Sequence, residues 1–221
     1  MTIIIEVLVA AALISFGYVY CCYYLGKEKQ FTSILIMLKL TKMKVFYLIL
    51  SIISILSLIL IFEEMYDIGI FTKIKLLSLV SFLIPAAAID LRKQVIPNQL
   101  LFFSLTFRVL LLVFEFIFST STIFLILTDS IAGAVIISAF FLLLYFVFRN
   151  SIGMGDIKLF AIMGLYQGLW GVINSVFFSL MTSFLISIGL LVTRKKSRKD
   201  TISFAPSILL GTIIAIGLTG M

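Results

Sequence analysis

Two carboxylates stand out in a chain that is otherwise close to solidly apolar. Asp156 lies in "NSIGMGDIKLF" (150–160), and Asp90 lies sixty-six residues earlier in "AAAIDLRKQVIPNQL" (86–100). A charged side chain costs at least ~2.5–3.5 kcal/mol at the centre of a membrane-spanning helix, so acids bordering such runs call for a reason. Two carboxylates brought to one depth can share a proton. One is then a base toward water and the other an acid toward a departing amide. This chemistry needs no metal, no nucleophilic serine and no histidine, and the chain has no histidine at all. For either acid alone, a plain helix-capping or solvating role stays open.

The elements that must position these acids follow from composition. Of 221 residues, 62% are hydrophobic and 12% charged, with a mean hydropathy of +1.27. That balance implies an all-α, polytopic membrane bundle. The formal net charge of +7 could suggest nucleic acid. The basic residues lie in short segments between apolar runs, however, so inner-leaflet retention explains them better and no nucleic-acid partner is expected. The two cysteines, Cys21 and Cys22, are adjacent, form no CxxC pair, and read as packing residues. The first apolar run has neither the basic start nor the small-residue cleavage site of a signal peptide, and reads as a permanent span.

Apolar stretches measured against the ~20 residues needed to cross a bilayer give about eight spans. They are 2–25, 45–62, 68–89, 99–118, 130–148, 157–170, 171–193 and 203–221, the sixth and seventh forming a hairpin that turns at Gly168 and Gly171. With the N-terminus outside, the inner segments are 26–44, 90–98, 149–156 and 194–202. Every Lys and Arg except Lys73, Lys75 and Arg108 then falls in or beside an inner segment. This orientation puts Asp90 and Asp156 on the same, cytoplasmic side. The chain reads as one integral membrane domain, 1–221, with a short basic cytoplasmic segment at 26–44. That segment is either an amphipathic helix on the inner leaflet or simply a topogenic loop.

Asp90 is expected at the C-terminal end of a helix, because "IPN" at 96–98 interrupts the chain. Asp156 is expected at a helix start, after glycines that free the backbone and admit a close neighbour. Helix polarity would then make Asp156 the ionised base and leave the shared proton on Asp90, although Arg92 and Lys93 pull the other way.

Three segments carry a family resemblance. "GMGDIKLFAIMGLYQG" (153–168) resembles the Gly-x-Gly-Asp motif of type IV prepilin peptidases, and "IDLRKQVIPN" (89–98) resembles that family's first catalytic segment. "ISFAPSILLG" (202–211) is similar to its Phe-x-Pro segment, where glycine often stands at the position of Ala205. The likeness runs from about residue 80 to 211, in order, and marks the expected catalytic core. It implies an intramembrane aspartic endopeptidase that removes a short basic leader from prepilins or pseudopilins, after a glycine, at the cytoplasmic face of a bacterial cell membrane. The resemblance implies Asp90 and Asp156 as the catalytic pair, with Gly153 and Gly155 shaping the loop and Pro97, Asn98, Phe204 and Pro206 as supports. Lys158 either tunes the surroundings of Asp156 or simply reaches the inner face. No metal or cofactor is implied.

One departure stands out. Many bacterial members carry paired CxxC motifs in a cytoplasmic insertion after the first span and also N-methylate their product. The segment 26–44 has no cysteine, so a peptidase-only form is expected. Two other readings remain. Presenilin-like proteases share the GxGD chemistry but usually place the first acid in a Tyr-Asp motif. A proton- or cation-coupled transporter or assembly subunit would need polar residues recurring at mid-membrane depth.

Among the other polar residues, Arg108 and Glu115 are seven apart on one helix face and read as an internal charge pair, or else as part of a substrate path. "TDS" (128–130) reads as the N-cap of the fifth span, giving Asp129 no catalytic part. Glu63, Glu64 and Asp67 read as a solvated outer loop.

Overall fold

The computed structural model describes residues 2–26, 42–64, 69–118, 123–148, 152–193 and 203–219. Regular structure among them is entirely helical: α1 (Thr2–Gly26), α2 (Lys42–Glu64), α3 (Ile70–Lys93), α4 (Asn98–Phe118), α5 (Ile123–Val147), α6 (Met154–Val192) and α7 (Ala205–Thr219). Helices pair their own backbone groups, as lipid requires. Among the described residues, α1, α3, α4, α5 and α6 are long and apolar enough to cross a bilayer. Their outward faces carry side chains such as Phe116, Phe124, Phe146 and Phe184, suited to lipid.

α3 is the axis of the bundle. Every residue from Leu76 to Asp90 is buried, because α1, α2, α4, α6 and α7 all pack on it. Cys21 is a buried free thiol and Cys22 a half-buried one.

The expected sixth and seventh spans appear as the two arms of α6, which Gly168 divides with φ 73° and ψ −173°. Only glycine adopts such a conformation without steric cost. The break falls at Gly168 alone, and Gly171 lies inside the second arm. Asp156 in the first arm is within electrostatic range of Asp90, and Asp90 bonds the start of α7. Thr182 and Ser179 in the second arm bond Ser207 and Ile208, also near the start of α7. The chain therefore reverses at Gly168. Gln167 Nε2 bridges the arms by donating to Ser175 Oγ at 2.8 Å.

Tight backbone contacts hold α5 against this hairpin. A side chain at Gly164 would stand 2.5 Å from the backbone of Gly133 and Ala134, and one at Gly133 would stand 2.6 Å from Gly168. Small residues at such crossings let membrane helices approach closely enough for dispersion to act.

Three expectations change. α5 begins at Ile123, earlier than 130, so Asp129 lies inside the helix and does not cap it. Thr128 there satisfies its hydroxyl on the Phe124 and Leu125 carbonyls, at 2.9 and 3.0 Å. α2 continues through Glu63 and Glu64, which are its last residues and not a loop. Asp67, and most of the basic segment 26–44, lie outside the described residues.

Gly164→Val should lower the thermal unfolding midpoint in detergent by several degrees, since overpacking costs about 1–3 kcal/mol or more where backbone blocks relaxation. Gly189→Ala, which meets nothing within 4 Å, should leave the midpoint unchanged or slightly raised. Differential scanning fluorimetry of the two purified variants checks this.

Candidate active site

Both acids sit at helix ends. Asp90 occupies the last turn of α3, which closes where Gln94 turns left-handed (φ 52°) and donates its N–H to the Asp90 carbonyl at 2.9 Å. Asp156 is the third residue of α6, after Gly153 as extended N-cap, and its N–H reaches the Gly153 carbonyl at 3.0 Å. A methyl group added to Gly153 would lie 3.0 Å from Asp156 Oδ2. The missing side chain there leaves the carboxylate its room.

The segment between α3 and α4 fastens the two ends together. Ile96 and Pro97 are buried, and the Pro97 carbonyl accepts from the N–H groups of Leu100 and Leu101 to start α4. Ile96 packs on α6 where a Cβ on Gly155 would stand 3.1 Å from its own Cβ. A side chain at 155 would crowd Ile96 and require it to shift. Beside this contact, Lys158 Nζ donates to Asn98 Oδ1 at 2.9 Å. The lysine thus clips α6 to α4, and its recorded partner is the amide of Asn98, not Asp156.

The third segment supplies what residue types could not announce. The backbone N–H of Ala205, first residue of α7, donates to Asp90 Oδ2 at 3.0 Å. Ser203 Oγ donates to the Asp90 carbonyl at 3.1 Å. Phe204 meets Phe160 edge-on at 5.8 Å, and Phe160 stacks on Phe141 at 4.5 Å, so an aromatic column backs the acids. Pro206 is the second residue of α7, where a missing N–H costs no helical bond. Asp90 thus lies between helix ends of opposite polarity, the C-terminus of α3 and the N-terminus of α7. The polarity of α3 alone therefore does not decide which acid holds a shared proton.

The structure brings Asp90, Asp156, Gly153, Gly155, Pro97, Asn98, Lys158, Phe204 and Pro206 to one end of the bundle. Ile96, Ser203 and Phe160 join them without having been singled out, and Ala205, noted only as a position where glycine often stands, joins through its backbone. Arg108 and Glu115 do form the expected internal pair, 3.1 Å apart and buried, away from this end.

Two carboxylates within electrostatic range of each other, with three inter-helix contacts around them at one end of an all-helical membrane bundle, mark a membrane protein with a candidate two-acid site. Comparison with known proteins gives the class its family: the chain belongs to the type IV leader peptidase family, whose model matches residues 77–216. It is 30% identical over 139 residues to the prepilin leader peptidase/N-methyltransferase of Bacillus subtilis (strain 168), covering 62% of this chain and 52% of that protein. Over 149 residues it is 26% identical to the protein of the same description from Pectobacterium carotovorum subsp. carotovorum, covering 65% and 51%. The chain thus spans about half the length of these curated relatives. No solved structure matches it.

The apposition of the two motifs is open to a direct chemical check. With Cys21 and Cys22 replaced by alanine, a cysteine pair at Ile96 and Gly155 should form an intramolecular disulfide under mild oxidation, given their short Cβ separation. A pair at Ile96 and Gly189 should not. Non-reducing electrophoresis after protease cleavage between the two positions reads the result.

Proposed function

We propose that this chain is an aspartic endopeptidase that removes the short basic leader from type IV prepilins or prepilin-like proteins. The observation that carries this reading is the convergence of Asp90 and Asp156, from α3 and α6, within electrostatic range of each other. In the proposed reaction one carboxylate takes a proton from water as the water oxygen attacks the scissile carbonyl. The tetrahedral intermediate collapses when the other carboxyl delivers its proton to the amide nitrogen, and the C–N bond breaks. Each acid ends in the other's starting state, and proton exchange with solvent resets the pair. The Ala205 N–H keeps one oxygen of Asp90 occupied, leaving the other for this work. Gly153, Gly155, Pro97 and Asn98 act as the frame of the loop.

In this reading the N-terminus lies outside and the site works at the cytoplasmic face. Support comes from the basic residues of 26–44 and 194–202, which flank the ends of α1, α2, α6 and α7 on the side of the acids. A basic leader would meet anionic headgroups there while the apolar segment after the cut stays in lipid. The absence of cysteine from 26–44 supports a peptidase without methyl transfer.

Asp90→Asn and Asp156→Asn should each lower the cleavage rate of a reconstituted prepilin substrate by about 10²- to 10⁴-fold or more, the range attributed to acid–base groups, with the protein still inserted and folded. Near-normal turnover by either variant would remove that acid from the mechanism. Chelators should leave wild-type turnover unchanged, since the proposed chemistry passes through carboxylates alone.

Mass spectrometry of the products tests specificity in the same assay. Cleavage should follow a glycine or other small residue, fall at least tenfold when that residue is made bulky, and add no methyl group in the presence of S-adenosylmethionine. Equal processing of the bulky substrate, or methylated product, would contradict the proposed specificity or the peptidase-only form respectively.

A further inference from the structure

The hairpin of α6 has a defect that the bundle repairs at a distance from the acids. In a continuous helix the N–H of Leu169 would donate to the carbonyl of Leu165, four residues back. Gly168, with φ 73° and ψ −173°, interrupts the ladder there, and this bond is among those that span the break. Both halves are nonetheless occupied. Arg108 Nε, from α4, donates to the Leu165 carbonyl at 2.8 Å, and Asp129 Oδ1, from α5, accepts from the Leu169 N–H at 3.1 Å.

The rest of the neighbourhood fixes these two side chains. Arg108 is fully buried, pairs through Nη1 with Glu115 Oε2 at 3.1 Å, and reaches Ser130 Oγ through Nη2 at 3.4 Å. Its guanidinium lies 5.9 Å from the ring centre of Tyr166, whose hydroxyl bonds the Ser104 carbonyl at 2.8 Å. Lys75 of α3 is within electrostatic range of Arg108, Glu115 and Asp129. The second carboxylate oxygen of Asp129 lies against Gly168, in the place a side chain there would take. Glycine is therefore required at 168 both by its backbone angles and by Asp129.

We propose that Arg108 and Asp129 are positioning residues for Asp156: they take up the two ends of a helical bond interrupted at Gly168 and so hold the first arm of α6 in the register that sets its carboxylate within range of Asp90. The proposal rests on the reading of Asp156 as catalytic. From Leu165 to Asp156 the arm is about 14 Å of continuous helix, and it pivots where the ladder is interrupted. Without the two side chains, the part-buried Leu165 carbonyl and the Leu169 N–H at the bundle surface would both lose their partners, and the turn would shift to find others. A shift of the order of 1 Å at reacting groups costs about 10²-fold in rate.

The test uses the full chain in detergent, with a synthetic peptide of basic leader, glycine and apolar segment as substrate. Asp129 is exposed on the bundle surface, so its variants are suited to folding. Asp129→Ala should lower kcat by about 10- to 100-fold with KM within about twofold, and should reduce disulfide formation in the 96–155 cysteine pair. Asp129→Asn, which keeps an acceptor oxygen, should restore both to within about threefold. Arg108→Met, if recovered folded, should behave like Asp129→Ala. An Asp129→Ala enzyme with wild-type kcat and cross-linking, even with a lowered unfolding midpoint, would overturn the proposal. Failure of Asp129→Asn to restore either readout would overturn the acceptor role. A wild-type chain that cleaves no such peptide, while its Asp129→Ala variant still loses cross-linking, would instead overturn the functional reading and leave the positioning role standing.

Discussion

Lipid offers no hydrogen bond to an interrupted helix, and that constraint arranges everything else in this molecule. Where the chain leaves the helical ladder, each freed backbone group has to be met by another part of the protein. At the end of α3 the Asp90 carbonyl is met by Gln94 and Ser203. At the start of α7 the free N–H of Ala205 is met by the Asp90 carboxylate. At Gly168 the Leu165 carbonyl and the Leu169 N–H are met by Arg108 and Asp129. Repairing the breaks and building the site are thus largely the same task, carried out by polar side chains that the apolar spans would otherwise have reason to exclude.

Close packing sets the geometry within which those repairs can reach. Ile96 against Gly155 draws the α3–α4 connection onto α6, and Gly133 against Gly164 and Gly168 draws α5 onto it. An added methylene at any of these points would separate elements whose hydrogen bonds are near 3 Å, and bonds of that length weaken steeply when stretched or bent. The bundle therefore has little freedom to substitute packing for polarity, or the reverse.

Much of this was legible from residue order. Apolar run lengths located the helices to within a few residues, except for the start of α5, seven residues earlier than expected, and the clustering of Lys and Arg in short segments grouped Asp90 with Asp156. The reversal at Gly168 was visible as an apolar run too long for one crossing. What the residues could not announce were partners that have no side-chain identity, such as the N–H of Ala205 or the carbonyl of Leu165. Asp129 shows the same limit: its type and setting suggested a helix cap, and it does satisfy the N–H at a helix start, but that of α6's second arm, forty residues on. Helix polarity at Asp90 has a contributor that residue order did not show, since α7 brings a second helix end to the same carboxylate.

The bond between Asp90 and Ala205 also has a consequence in time. Its partners are 115 positions apart in the chain. At a synthesis rate of ~5–20 residues per second, the acid on α3 emerges roughly 6–23 seconds before the amide that will receive it. The α6 partner also comes late, with Asp156 sixty-six residues behind Asp90. During that interval the axial helix of the bundle is already made while the Asp90 carboxylate awaits its α7 partner. The surroundings of Asp90 are therefore completed only when α7, which follows the other described helices in the chain, has been made.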